Sequence, residues 1–333
     1  MNRRRKHGPD WLPPRCYQGK SAFEYRPISG GAVRLGKLDA PKQIILANYQ
    51  AAVSIHNEPT GAFAQLVREY FKSTKYADLG RRTRSDYVGY SEKVLPVFGH
   101  MNRQRIKPHH IRQYMDKRGK TSKTQANREK SFMSAVFTWA YQYGKIKEVN
   151  PCHKVSKFTE PPRDRYIDDW EYDAVLLEAK SQPLLFAAME VSYCCAAREA
   201  DVWNLEKNQL LHDGIYICQG KTGVKQIKLW NPRLKYAINL ALQQPELPSF
   251  QWVFTKGRNH HCAQGTLRKW FSDARNAAEA KYPDCKFDFT FHDIKAKAIS
   301  DYEGGDKKEF SGHKTDSQVR VYDRKTKRSP TLN

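Results

Sequence analysis

A histidine and a tyrosine stand nine positions apart in the segment 311–324, and both side chain types can act in proton transfer or nucleophilic attack. On one continuous helix, nine steps of about 100° each would place them on opposite faces. The run Thr315-Asp316-Ser317-Gln318 fits a helix-capping box. We therefore expect a short helix that begins near Asp316, with His313 just before it and Tyr322 at its far end. The alternative is a surface tyrosine that follows a loop histidine.

Arg198 stands after an apolar run, with Asp201 three positions further on. An arginine held rigidly at a helix end can grip a phosphate with its planar fork. The alternative is a structural ion pair between Arg198 and Asp201, since residues three apart on a helix are neighbours.

Lys221 lies between two strand-like runs, 214–218 and 226–230, in a glycine-containing connection that predicts a β-hairpin. A lysine at the tip of a hairpin is mobile and can deliver a proton into a cleft. Plain solvent-exposed turn charge is the alternative. The segment is not a phosphate-binding P-loop, because Ile215 stands where that motif requires a glycine.

His292 and Lys295 are three positions apart, which places them on one face of a helix that Thr290 can cap. Taken alone, a histidine at a helix start is more often structural than catalytic. The pair matters because it stands in order with the groups described above.

The ordered set resembles the catalytic residues of the tyrosine recombinases, the phage integrases in particular. The matching motifs are A-x-R-x-x-D around Arg198, G-K-T-G around Lys221, and Gly312-His313 followed nine positions on by Tyr322. The segment from His292 resembles the family motif H-x-x-R, but Lys295 stands in place of its arginine. Lysine keeps the charge and loses the planar, bidentate fork.

The resemblance implies that Tyr322 attacks a DNA phosphate and that His292 is the general base. Lys221 would protonate the departing 5' oxygen. A 3' phosphotyrosyl link would then conserve the energy of the phosphodiester, so the reaction would need no ATP, metal or other cofactor. The groups expected to stabilise charge on the non-bridging oxygens are Arg198, Lys295 and His313.

The resemblance also implies partners and a setting. The chain would act as a homotetramer on double-stranded DNA attachment sites in the bacterial cytoplasm, and it would integrate or excise phage or other mobile DNA. A host DNA-bending protein and an excision factor would assist. A non-catalytic DNA-binding regulator with a recombinase-like fold is the alternative, favoured by Lys295. A type IB topoisomerase-like enzyme is a second alternative, which the N-terminal module described below disfavours.

Composition agrees with a nucleic-acid partner. The 333 residues carry 58 Lys and Arg against 35 Asp and Glu, a net charge of +23, and the excess is spread along the chain. No apolar run approaches membrane-spanning length, and no signal-peptide pattern opens the sequence. The seven cysteines, an odd number without C-x-x-C spacing, favour reduced thiols. The run His260-His261-Cys262 lacks a second cluster, so we expect no metal site.

The positioning elements predict a multidomain α+β chain with three parts. Residues 1–58 are expected to form a small three-stranded β module with a helix from Lys42 to Ile55. This module resembles the family's domain for "arm" DNA sites. A flexible basic extension is the alternative. The basic residues that open it are Arg3, Arg4, Arg5 and Lys6.

Residues 62–150 are expected to form a helical domain that resembles the family's core-site DNA-binding domain. Thr83 is predicted to cap its second helix, Pro108 to begin the third, and Thr121 or Ser122 to begin the fourth. The exposed basic residues expected to contact phosphates include Arg81, Arg82, Arg84, Lys120, Lys123 and Arg128. A charged solvated face is the alternative for any one of them. A linker at 151–165 precedes the catalytic domain, 166–333, expected to be mainly helical with one β-hairpin.

Overall fold

The computed structural model describes residues 9–27, 31–56, 61–243, 251–255, 262–327 and 329–331. The chain divides into two compact units, Met1–Glu160 and Pro161–Asn333. The division falls inside the predicted linker. Helices dominate, and two small antiparallel sheets complete an α+β fold, as the sequence predicts. Among the described residues, no helix is long and apolar enough to cross a membrane.

The first unit begins with a three-stranded antiparallel sheet in the order β1-β2-β3. Its strands are β1 (Cys16–Gln18), β2 (Ala22–Tyr25) and β3 (Val33–Lys37), and helix α1 (Lys42–His56) follows. The buried side chains between sheet and helix include Cys16, Phe23, Tyr25, Leu35 and Ile45. The predicted three strands and the helix are therefore present, built on alternating aromatic and aliphatic residues.

Five α-helices follow in the described part of the first unit, and they share a separate apolar core. They are α2 (Phe63–Phe71), α3 (Thr74–Ala77), α4 (Arg81–Phe98), α5 (Pro108–Gly119) and α6 (Lys123–Gln142). Pro108 is the first residue of α5, and the Ser122 hydroxyl accepts from the Gln125 N–H at the start of α6. These two helix starts confirm the prediction.

The predicted start of the second long helix is wrong. Helix α4 begins at Arg81 after Gly80, so Thr83 lies inside its first turn rather than at its cap. The extra helix α3 was also not predicted. Its start is fixed by Ser73, whose hydroxyl accepts from the Tyr76 N–H. A serine three residues before a tyrosine is too common a pattern to single out from sequence.

The second unit contains one antiparallel hairpin and eight helices in the part of the chain that the structure describes. The hairpin joins β4 (Gly214–Cys218) to β5 (Lys225–Leu229). The helices are α7 (Asp169–Ala179), α8 (Pro183–Cys195), α9 (Glu199–Trp203), α10 (Pro232–Leu242), α11 (Gln264–Lys281), α12 (Phe291–Asp301), α13 (Lys307–Ser311) and α14 (Asp316–Tyr322).

Helix α8 is the centre of the second unit because apolar residues cover nearly its whole circumference. It packs against α7, α10 and α12. Ala196 ends it in the left-handed conformation, with φ 47°, so the chain turns sharply before Arg198. The most apolar segment of the unit therefore fixes the backbone that carries the first candidate residue.

The caps predicted for α12 and α14 are present. Thr290 and Asp293 form a reciprocal capping box at α12. The Thr315 hydroxyl accepts from the Gln318 N–H at 3.4 Å, but the Gln318 side chain accepts from Lys314 instead of closing the box. Both helices thus begin where the sequence predicts, and each delivers a candidate residue to the same region.

Candidate active site

Tyr322 and His292 lie together although 30 residues separate them. Tyr322 is the last residue of α14, His292 is in the first turn of α12, and these two helices pack against each other. The Tyr322 Oη and His292 Nε2 atoms are 3.2 Å apart and share a hydrogen bond. The surrounding protein atoms desolvate the ring and so lower the pKa of His292. The positive charges of Lys295 and Arg198 lower it further, while the negative charge of Asp293 raises it. A neutral imidazole of this kind can accept the tyrosine proton.

His313 lies against the other side of Tyr322, with ring centroids 4.8 Å apart. The left-handed Gly312, with φ 63°, turns the chain between α13 and this histidine. His313 Nδ1 shares a hydrogen bond of 2.8 Å with Ser311 Oγ. Its Nε2 atom is buried and has no hydrogen-bond partner among the described residues. A buried polar atom without a partner is costly, so this nitrogen is suited to a group that a ligand brings.

Lys295 is almost fully buried, with 1% of its surface exposed. Its Nζ donates to the Ala196 carbonyl at 2.7 Å and to the Ser311 carbonyl at 3.3 Å, and it lies 5.9 Å from the Tyr322 ring centroid. An ammonium has three N–H donors, so one remains for a ligand. Burial, with the nearby positive charges of Arg198 and Lys228, lowers the pKa of Lys295 to about 7.

Arg198 is the residue immediately before α9, and its side chain is 14% exposed. Its Nη1 donates to Gln219 Oε1 at 2.6 Å, while the closest approach to Asp201 is 3.9 Å. Asp201 instead accepts from the Gly220 N–H at 3.0 Å and so ties α9 to the hairpin turn. The principal partner of Arg198 is therefore a neutral amide, and most of the fork is available to an anion.

Lys221 differs from these residues. It is exposed in the turn between β4 and β5, two positions after Gln219. In the described part of the chain, no hydrogen bond or ion pair joins it to the other five candidates. The structure therefore gathers Arg198, His292, Lys295, His313 and Tyr322, and leaves Lys221 on the adjoining hairpin.

Sequence reasoning missed the groups that hold these side chains. Gln219 contacts Arg198 and donates to the Ser311 carbonyl at 2.9 Å. Buried Asp293, beside His292, accepts from Arg324 Nη1 at 2.6 Å and lies 3.1 Å from Arg163. Arg324 follows Tyr322 by two positions, so this ion pair fixes the chain on the far side of the tyrosine. No sequence signal would have selected Gln219. The ion pair could have been suggested, because Asp293 follows His292 directly and Arg324 stands two positions after Tyr322.

The electrostatics of the cluster favour an anion. Burial, together with the positive charges of Lys295 and Arg198, lowers the pKa of His313 to about 4. Like charges that depress one another's protonation are relieved when a negative group binds between them. A phosphate is the common anion with enough acceptor oxygens for a guanidinium, an ammonium and an imidazole.

The candidate DNA-binding residues of the first unit are exposed where they are described. Arg82 pairs with Asp86 one helical turn on, and Arg128 lies 3.6 Å from Glu160. The remaining exposed residues of this set are Arg81, Arg84, Lys120 and Lys123. Arg3, Arg4, Arg5 and Lys6 lie outside the described residues, as do His260 and His261. No group of three metal-ligating side chains occurs among the residues described.

Comparison with known proteins gives relatives in sequence and in fold. Residues 63–157 match the phage integrase central domain. The integrase of Escherichia phage lambda is 24% identical over 203 residues, which cover 58% of this chain and 56% of the relative, and the integrase of Enterobacteria phage 434 matches equally. The match thus spans little more than half the length of these curated relatives. The chain therefore resembles the phage integrases, through its central domain and through these two relatives.

Solved structures of integrases extend the likeness in fold to nearly the whole chain. A lambda integrase dimer bound to a COC' core site matches with a TM-score of 0.67 and 20% identity, covering 98% of this chain and 99% of that one. A lambda integrase tetramer bound to a Holliday junction matches equally in TM-score. The Tn1549 transposon integrase in complex with circular intermediate DNA matches with a TM-score of 0.62 and 13% identity, over 78% of this chain.

Proposed function

We propose that this chain is a site-specific DNA recombinase that cuts and rejoins DNA through a 3' phosphotyrosyl intermediate. The observation that carries the proposal is the 3.2 Å contact between Tyr322 Oη and His292 Nε2 beside two desolvated cations. A tyrosine hydroxyl has a pKa near 10 and needs a base and a cationic environment to attack at neutral pH. The cluster supplies both.

In the proposed reaction, His292 accepts the proton as Tyr322 attacks the scissile phosphate. The free donors of Arg198, Lys295 and the unpartnered Nε2 of His313 receive the charge that grows on the non-bridging oxygens. Lys221 protonates the 5' oxygen as it leaves. A second attack by the 5' hydroxyl of the exchanged strand reverses these steps, so no cofactor is consumed.

The structures of lambda integrase on DNA extend the proposal to the assembly and partners of this chain. Lambda integrase is seen as a dimer on a core site and as a tetramer on a Holliday junction. We infer that four copies of this chain act on two duplexes, with DNA attachment sites in a bacterial cytoplasm, to integrate or excise mobile DNA. A host DNA-bending protein and an excision factor belong to the same proposal.

A nicked suicide substrate tests the chemistry. After cleavage, the short strand beyond the nick diffuses away, so the covalent protein–DNA adduct accumulates and is read on a denaturing gel. Wild-type protein is expected to form the adduct, and Tyr322→Phe is expected to bind the same DNA and form none. An adduct with the phenylalanine variant would remove Tyr322 from the role of nucleophile.

The second candidate function is a non-catalytic DNA-binding regulator. Its support is that Lys295 replaces the family's arginine and spends two of its three donors on backbone carbonyls. If the chain were a regulator, the wild-type protein would bind its DNA site with specificity and would form no adduct on the suicide substrate at any protein concentration. The same gel therefore separates the two functions.

We also propose that the chain works as three domains, 1–58, 62–150 and 166–333, with the first reading arm-type DNA. Removal of residues 1–60 is expected to abolish arm-site binding and to leave core-site cleavage. The salt dependence of the remaining binding should become shallower, because fewer phosphates are neutralised. Unchanged two-site binding by the shortened protein would contradict a separate arm-binding module.

A further inference from the structure

Gln219 is a buried amide at the base of the β4–β5 turn, with 4% of its surface exposed. Its Oε1 accepts from Arg198 Nη1 at 2.6 Å and from Thr222 Oγ1 at 2.8 Å. Its Nε2 donates to the Ser311 carbonyl at 2.9 Å. Three hydrogen bonds to groups 3, 21 and 92 residues away fix the orientation of this amide.

The contact with Ser311 connects Gln219 to the rest of the cluster. The carbonyl of Ser311 also accepts from Lys295 Nζ at 3.3 Å, and its hydroxyl shares the hydrogen bond with His313 Nδ1. Gln219 thus links Arg198 to Ser311, which in turn contacts both Lys295 and His313. These three side chains are the ones proposed above to stabilise the transition state.

We propose that Gln219 is a positioning residue that holds the Arg198 fork against the Ser311–His313 segment, to which Lys295 also donates. A free arginine side chain has several rotatable bonds, and the 3.9 Å approach of Asp201 is too long to fix it. Donors stabilise developing charge most when they are already aimed before the reaction. The amide supplies that aim without a competing negative charge.

The packing around Gly312 supports a fixed amide. This glycine has φ 63°, and a Cβ built on it would lie 2.4 Å from Gln219 Nε2 and 2.7 Å from Gln226 Oε1. The two glutamine side chains therefore occupy the space that any larger residue would need. Gln226 also reaches the α13 backbone, at the Glu309 carbonyl, but it does not contact Arg198 in the described structure. It offers a matched control from the same hairpin.

The test rests on the proposed cleavage reaction and uses the full chain with the suicide substrate. Gln219→Met keeps the volume and removes both hydrogen-bonding groups. We expect its single-turnover cleavage to slow by about 10- to 100-fold, since small misplacement of a catalytic group has effects of this size. Its dissociation constant for DNA should stay within about twofold, and Gln226→Met should cleave within about threefold of wild type.

Arg198→Ala provides a readout that a merely structural role of Gln219 would not change. If Gln219 acts through Arg198, adding Gln219→Met to Arg198→Ala should slow cleavage by no more than about twofold beyond Arg198→Ala alone. If Gln219→Met unfolds at a clearly lower temperature than wild type, Gln219→Asn replaces it in the test. Asparagine keeps the amide but is one methylene too short to reach both partners.

Three results would overturn the inference. Cleavage by Gln219→Met at the wild-type rate would show that Arg198 needs no such support. Equal slowing by Gln226→Met would assign the effect to docking of the hairpin. A loss from Gln219→Met that is undiminished in the Arg198→Ala background would show that Gln219 does not act through Arg198. If the wild-type protein formed no adduct at all, the proposed function would fail instead, which is a different outcome on the same gel.

Discussion

The candidate site has two regions that differ in how they are held. Arg198, Lys295 and His313 are buried or nearly so, and each is fixed by backbone carbonyls or neutral side chains. Lys221 is exposed in a two-stranded turn whose only described ties to the α9 region pass through Gln219 and Gly220. The contrast is between groups fixed in advance and a group carried on an exposed turn.

The difference agrees with the two kinds of work proposed for them. Charge on the non-bridging oxygens develops at a fixed place, so donors held rigidly there lose no reorganisation energy during the step. A proton must travel to a leaving oxygen that moves as the bond breaks, and a group on a turn can follow it. Substitutions in each region therefore test this difference, because they should slow different parts of the cleavage reaction.

The largest expected effect is at the exposed region. Lys221→Ala should slow single-turnover cleavage by about 10²- to 10⁴-fold, the usual range for a positioned acid. On a substrate whose 5' bridging oxygen is replaced by sulfur, the loss should shrink to less than about tenfold, because a thiolate is a good leaving group without a proton.

Lys225→Ala is the control for this prediction. It removes another exposed lysine from the same hairpin, at the start of β5. Its cleavage rate should remain within about threefold of wild type on both substrates. An equal loss for Lys221→Ala with oxygen and with sulfur would mean that this lysine is not the acid.

A somewhat smaller effect is expected in the buried region. Lys295→Ala should slow cleavage by about 10²- to 10³-fold with little loss of DNA binding, as for one donor of an oxyanion site. Lys295→Arg should retain substantial activity, because it restores both the charge and the donors. An alanine variant as fast as wild type in single-turnover cleavage would remove Lys295 from the site.

The sequence predicted those parts of the site that depend on local pattern. Apolar spacing and the caps at Thr290 and Thr315 located α12 and α14, and glycine placement located the hairpin. The partner of Arg198 could not be found in this way. Local spacing favoured Asp201, one helical turn away, as the partner of Arg198. In the structure the partner is Gln219, 21 positions further along the chain. Only the packing of α9, the hairpin and α13 determines which polar group faces the arginine.

The ion pair behind the tyrosine gives a prediction about stability. Arg324 and Asp293 are both buried and lie 2.6 Å apart, and burial alone would raise the pKa of Asp293, but hydrogen bonds from Arg324 and Thr290 hold it below the ordinary value. Arg324→Met should lower the free energy of unfolding by about 1–3 kcal/mol, since a buried carboxylate loses a partner while Arg163 remains. Cleavage should slow as well, because this contact fixes the chain after Tyr322.

Urea unfolding followed by circular dichroism measures this change. Lys327→Met is the control, because the exposed Lys327 belongs to the same terminal segment and lies 3.7 Å from Asp323. Its stability should change by less than about 0.5 kcal/mol. If the two variants lost the same small amount, the buried pair would contribute no more than a surface one.

The pH dependence of stability tests the buried region without any DNA chemistry. The pKa of Lys295 is about 7 in the folded chain and near its ordinary 10.5 when unfolded. Between these values the unfolded state binds more protons, so this residue makes the free energy of unfolding increase as pH rises. Relative to Lys295→Met, wild-type protein should gain up to about 1 kcal/mol per pH unit between pH 7.5 and 9.5 in urea titrations. Bound DNA should reduce this slope, because a phosphate beside Lys295 favours its charged form. A flat difference between the two proteins without DNA would mean that the buried ammonium stays charged throughout, and the contrast with the exposed hairpin would then rest on geometry alone.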